Sequence, residues 1–81
     1  MGFALRDPKR IGVAALGAGR MAQTHLRTLA GIGNADVVVV ADPVPSAAER
    51  GAEVARARRW TLDPVEAIRD PEVEAVVIVT P

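Results

Sequence analysis

Apolar runs of strand length alternate along this chain with stretches whose apolar residues recur at helical spacing. Ile11-Gly12-Val13-Ala14-Ala15-Leu16 is continuous and rich in small residues, which fits a strand buried on both faces. Residues 20–32 then place Ala22, His25, Leu26, Leu29 and Ala30 on one helical stripe, with Arg20, Gln23 and Arg27 off it. Gly31, Gly33 and Asn34 stop that helix. Val37-Val38-Val39-Val40-Ala41 is a second buried strand of β-branched residues.

Asp42-Pro43-Val44-Pro45 reads as a turn, because two prolines suit neither a helix interior nor a strand ladder. Ser46 is a candidate cap for a helix over residues 47–57, whose thin apolar face is Ala48, Ala52 and Ala55. Arg58-Arg59-Trp60-Thr61 is a weak third strand. Asp63-Pro64 has the form of a capping carboxylate followed by proline at the first helical position. Val65, Ala67 and Ile68 are expected to pack inward from that short helix, and Asp70-Pro71 ends it. Ala75-Val76-Val77-Ile78-Val79 is a fourth buried strand, closed by Thr80-Pro81. Such alternation predicts an α/β fold: a Rossmann-like three-layer unit of about four parallel strands in the order 3-2-1-4, half of a doubly wound sheet. Residues 1–8 read as a leader, and residues 9–81 as the N-terminal part of a dinucleotide-binding domain. A final strand left at a sheet edge would be prone to pairing with other chains.

The candidate chemistry sits at the first strand–helix junction. Gly17-Ala18-Gly19-Arg20-Met21-Ala22 is a G-x-G-x-x-A turn that follows a strand and opens a helix. Gly17 allows a sharp exit from the strand. Gly19 lets backbone approach a pyrophosphate, and Ala22 keeps helix and strand close. Amides around Arg20 and Met21, at the positive end of the helix, are the expected donors, with Arg20 adding charge from the rim. Asp42 ends the next strand about 20 residues on, where a ribose-binding carboxylate belongs. Its other reading is a turn residue before Pro43. As a ribose ligand it would repel a 2′-phosphate, and neither Pro43 nor Val44 offers a cation, which favours NAD over NADP.

Composition narrows the classes. The 81 residues are 49% hydrophobic, enough for a core. Ten basic residues balance ten acidic ones, so no field draws in nucleic acid or anionic membrane. The chain has no Cys and a single His, so disulfides, thiolate sites and His-rich metal clusters are excluded. No run is long enough for a signal peptide or membrane span, and a cytoplasmic location is the expectation. His25 is either a proton shuttle or a helix residue at the edge of the packed stripe. Trp60 is a core residue, a cover for the sheet edge, or a wall of an adenine pocket. Arg56, Arg58 and Arg59 read as a solvated helix end.

The ordered set of motifs resembles the N-terminal domain of the Gfo/Idh/MocA family of NAD(P)-dependent oxidoreductases. The matching residues are Ile11-Gly12-Val13, the glycine turn with His25 after it, Ala41-Asp42-Pro43, Asp63-Pro64-Val65-Glu66-Ala67-Ile68, and the run from Asp70-Pro71 to Thr80-Pro81. Ala22 stands where the family often has Gly, and Glu74 where it often has Asp. The resemblance implies a nicotinamide cofactor and a sugar, inositol or related polyol as substrate of a complete protein. It adds Pro43, Thr80 and Pro81 to the cofactor-binding set of Gly17, Ala18, Gly19, Arg20, Met21 and Asp42. The family's Glu-Lys-Pro motif, with its catalytic Lys, and its second domain have no counterpart in these residues. No catalytic residue is therefore assigned, and the chain is expected to be a truncated product without turnover of its own. Homo-oligomerisation of the complete protein stays open. The rival reading is a non-catalytic nucleotide-binding module or inert fragment. A methyltransferase binding S-adenosylmethionine would call for Gly at position 21, where Met21 stands.

Overall fold

The computed structural model describes residues 10–79. The leader at residues 1–8, and Thr80 and Pro81, lie outside the described residues. The elements run β1 (Ile11–Leu16), α1 (Ala22–Ala30), β2 (Ala35–Ala41), α2 (Pro45–Ala55), β3 (Arg59–Thr61), α3 (Pro64–Ile68) and β4 (Ala75–Ile78). All strand pairs are parallel, in the order β3-β2-β1-β4, as the alternation of elements predicts. β1 and β2 therefore lie at the centre, and their C-terminal ends carry Gly17 and Asp42 side by side.

Two cores flank the sheet. On one face α1 and α2 bury Ala22, Leu26, Ala52 and Ala55 against Ala15, Val37 and Val40. On the other, Ala67 of α3 covers Ala14, Val38, Val39 and Ala41. Val37 and Val40 share a face although three residues apart, because the β1–β2 register slips between Val13 and Ala14 and leaves Val38 as an extra residue.

Five expectations are corrected, the last of them at the arginines before and within β3. Helix α1 begins at Ala22, not Arg20, since Gly19, Arg20 and Met21 are spent in the turn, and it ends at Ala30. On it His25 is exposed, while Ala22 and Leu26 are buried. Helix α2 begins at Pro45: Val44 is the extended N-cap, and proline is compatible with the first helical position because no intrahelical acceptor awaits its nitrogen. Ser46 thus lies inside the first turn and does not cap. Val65 and Ile68 of α3 are exposed, and only Ala67 is buried, because the five-residue helix is too short to present a wide face. Strand β4 is half-exposed, not buried: it lies at the sheet edge with Val76 and Ile78 facing outward.

Asp63 does cap α3, accepting from the Val65 amide at 2.9 Å. Arg56, Arg58 and Arg59 do not form one helix end. Arg56 caps α2 in the left-handed conformation. Arg58 pairs with Asp36 and Glu72, and Arg59, within β3, pairs with Glu66 and Asp70. Among the described residues no helix is long and apolar enough to cross a membrane, and no group of acidic and imidazole side chains could hold a metal.

Candidate functional site

Gly17 leaves β1 with φ of 106°, in the region open to glycine, while its amide donates to the Ala41 carbonyl at 2.8 Å. The turn is thereby fastened to the end of β2. Asp42 follows directly, and its own amide donates to the Thr61 carbonyl at 3.1 Å, so the short β3 steadies the acidic residue.

The carboxylate of Asp42 joins turn to strand. Its Oδ2 accepts from the Ala18 amide and its Oδ1 from the Val44 amide, each at 2.9 Å. A carboxylate has about four acceptor sites, so roughly half its capacity remains for a ligand's hydroxyls. The Gln23 side chain donates to the Ala18 carbonyl at 2.9 Å and closes the turn from the helix side.

The next amides are free. Those of Gly19, Arg20 and Met21 find no acceptor among the described residues, and α1 has neither a side-chain cap nor an acidic residue in its first turn. Unmatched N–H groups at a helix start carry a partial positive charge. A Cβ placed on Gly19 would meet no atom within 4 Å. Nothing in the protein demands glycine there, whereas a phosphate lying against the backbone would.

These groups surround one cavity of about 190 Å³, lined by Gly17, Gly19, Arg20, Met21, Asp42 and Val79 among others. Five of the residues singled out from the sequence thus meet in one place. Ala18 is buried with its side chain in the α1–α2 core, and it serves through its amide. Pro43 is exposed and does not line this cavity. Thr80 and Pro81 lie outside the described residues, following Val79, whose amide donates to the Leu16 carbonyl at 2.9 Å. His25 and Trp60 do not line it either: Trp60 flanks a separate hollow with Arg56 and Arg58 at the β3 edge.

Sequence reading missed Gly51. A Cβ there would lie 2.6 Å from the Ala18 Cβ and 3.0 Å from Val40 Cγ1, so α2 rests directly beneath the glycine turn. The available signal was an isolated glycine within an alanine-rich helical pattern, which commonly has a packing cause.

Residues 11–81 match the Gfo/Idh/MocA family, an oxidoreductase family with an NAD-binding Rossmann fold. The chain is 37% identical over 73 residues to scyllo-inositol 2-dehydrogenase (NAD(+)) of Bacillus subtilis, covering 89% of this chain and 21% of that protein. It is 46% identical over 72 residues to inositol 2-dehydrogenase 1 of Mycolicibacterium vanbaalenii, covering 88% of this chain and 21% of that protein. It is also similar to the crystal structure of GenD2 from gentamicin A biosynthesis in complex with NAD, with TM-score 0.80 and 31% identity over 99% of this chain and 24% of that one. The chain spans about a fifth of the length of the curated relatives it matches. With its β1 turn, its Asp42 and nearly all of its length inside the matched region, the chain belongs to the Gfo/Idh/MocA oxidoreductase family, in that family's NAD-binding Rossmann fold.

Proposed function

We propose that the chain holds NAD for an oxidoreductase that acts on an inositol or related polyol. The observation that carries this reading is the Asp42 carboxylate, tied to the turn through the Ala18 amide and facing the same cavity as the free amides of Gly19, Arg20 and Met21. The amides receive the pyrophosphate, with Arg20 supplying charge from the rim. Asp42 receives the adenosine ribose hydroxyls on its unused lone pairs. Pro43 holds the backbone beyond it, and the family resemblance adds Thr80 and Pro81, outside the described residues, to the cofactor-binding set. The bound nicotinamide supplies hydride transfer. The two curated relatives named above are inositol dehydrogenases, which supports the polyol class.

The cavity has no Lys, Tyr or His in its lining among the described residues, so no residue here is assigned a proton-transfer role. That observation favours, as the second reading, a module that binds nucleotide without catalysis of its own. Calorimetric titration with NAD and NADP tests the cofactor assignment. NAD is expected to bind about tenfold more tightly, because Asp42 repels a 2′-phosphate. Asp42→Ala should shrink that preference, and tighter binding of NADP by the unchanged chain would refute the assignment.

A further inference from the structure

Each carbonyl of the glycine turn from Ala18 to Arg20 is held by a donor from the start of α1. The Ala22 amide donates to the Gly19 carbonyl at 3.0 Å, and the Gln23 amide donates to the Arg20 carbonyl at 3.3 Å. The Ala18 carbonyl is held differently: the half-buried Gln23 side chain donates to it through Nε2, and no backbone donor among the described residues reaches it. A trans peptide points its C=O and its N–H in opposite directions. With the Ala18 carbonyl drawn towards Gln23, the Gly19 N–H of the same peptide is turned away from Gln23, and Gly19 lines the 190 Å³ cavity that Gln23 does not. The bond from the Ala18 amide to Asp42 fixes only the preceding peptide, between Gly17 and Ala18. Turning the Ala18–Gly19 peptide over changes ψ of Ala18 and φ of Gly19, and glycine tolerates either sign of φ. The glycine that admits a phosphate therefore also lets this peptide present its oxygen in place of its N–H, and an oxygen there repels an anion.

On the reading that the free amides of the turn receive a pyrophosphate, we infer that Gln23 is a positioning residue for the cofactor. Its side-chain amide locks the Ala18–Gly19 peptide so that the Gly19 N–H, and not the Ala18 carbonyl, faces the phosphate. Asp42 and Gln23 then grip two successive peptides of the turn, one through the Ala18 N–H from the end of β2, the other through the Ala18 C=O from α1. A peptide already oriented costs nothing to order when the ligand arrives. The role needs a donor and a reach: leucine at this position lacks the donor, and asparagine, one methylene shorter, lacks the reach.

The test is titration of the chain with NAD, ADP and adenosine, followed at the Gly19 amide signal in proton–nitrogen correlation NMR spectra. Gln23→Leu keeps a good helix former of similar bulk and removes the donor. It should weaken NAD and ADP about tenfold, the loss of one charge-assisted hydrogen bond, and leave adenosine, which has no phosphate, within about twofold. Gln23→Asn should resemble Gln23→Leu, whereas Gln23→Lys, which restores a donor of sufficient reach, should recover most of the affinity. In the unchanged chain the Gly19 amide proton should move downfield as NAD binds, because it takes up a hydrogen bond to the phosphate. In Gln23→Leu and Gln23→Asn that movement should be largely lost. If those two variants bind NAD as the unchanged chain does, or lose adenosine as steeply as NAD, the inference fails and the cofactor assignment stands. If the unchanged chain binds neither NAD nor ADP, the cofactor assignment fails and the inference with it.

Discussion

Two glycines of one motif do different work, and single substitutions separate them. Gly17 sits at φ of 106° and is buried at the end of β1, so any side chain there strains the backbone whether or not ligand is present. Gly17→Ala is expected to lower unfolding free energy by about 1–3 kcal/mol, measured by urea denaturation. Gly19 has open space where a Cβ would go. Gly19→Ala should change stability by no more than about 0.5 kcal/mol, yet weaken NAD at least about tenfold in titration by crowding the phosphate. Equal destabilisation by both, or undiminished NAD binding by Gly19→Ala, would contradict this division. The motif pointed in the sequence to Gly17 as the sharp exit from β1, and the spacing to Asp42 pointed to the residue that the turn meets. The bond from the Ala18 amide to Asp42 was not legible, because it depends on how β1 and β2 end relative to each other.

At the scale of elements, α2 is placed by what it lacks. Gly51 faces Ala18, Val40 and Leu26 at distances that leave no room for a methyl group. Alanine would gain about 1 kcal/mol of helix propensity, but overpacking against a fixed strand and turn costs about 1–3 kcal/mol. Gly51→Ala should therefore destabilise, and pressure on Ala18 should loosen Asp42 and weaken NAD binding. A stabilised variant would show that α2 yields freely. On the opposite face, Arg59 of β3 braces α3, with its Nη2 2.7 Å from Glu66 and 2.9 Å from Asp70. The Glu66 carboxyl is held below its ordinary value by hydrogen bonds from Arg59 and then Thr61. Asp70 is held low first by the Glu72 amide and then by Arg59. Groups with depressed folded-state values stabilise above their unfolded values, about pH 4, and that contribution is lost as pH falls through the folded values. Urea midpoints should therefore fall below about pH 4, and Arg59→Ala should flatten that decline while leaving the amide's hold on Asp70. An unchanged acid limb in Arg59→Ala would remove Arg59 from the account. The sequence placed α3 and its Asp63 cap correctly, but ascribed the arginines to a helix end, since partners 7 and 11 residues away (Glu66 and Asp70 from Arg59) show no local pattern.

For the whole molecule, the two faces of the sheet are unequally covered. α1 and α2 close one side, while α3 contributes a single buried residue, Ala67, to the other. Val76 and Ile78 on the edge strand β4 are 41% and 69% exposed, and Val65 and Ile68 of α3 are 51% and 47% exposed. A strand edge left uncovered by the described residues, beside exposed apolar side chains, favours association. Sedimentation velocity should show the chain associating as concentration rises. Ile78→Lys should move that association to at least about tenfold higher concentration, since a charge at a strand edge opposes pairing. A chain that stays monomeric throughout the concentration series would refute the edge as a contact surface.

The order of elements, the parallel sheet order and the position of the glycine turn followed from the sequence alone. These depend on backbone periodicity, on where Gly and Pro interrupt it, and on the short list of ways parallel strands connect. The identity of Asp42 as partner to the turn also followed, because a strand–helix–strand unit has a nearly constant length. Tertiary structure alone decided the slip at Val38, the seat of Gly51 under Ala18, and the partners of Arg58 and Arg59. Each depends on contact between residues distant in the chain, set by how closely whole elements pack. Local pattern records which face a residue presents, not what stands across from it.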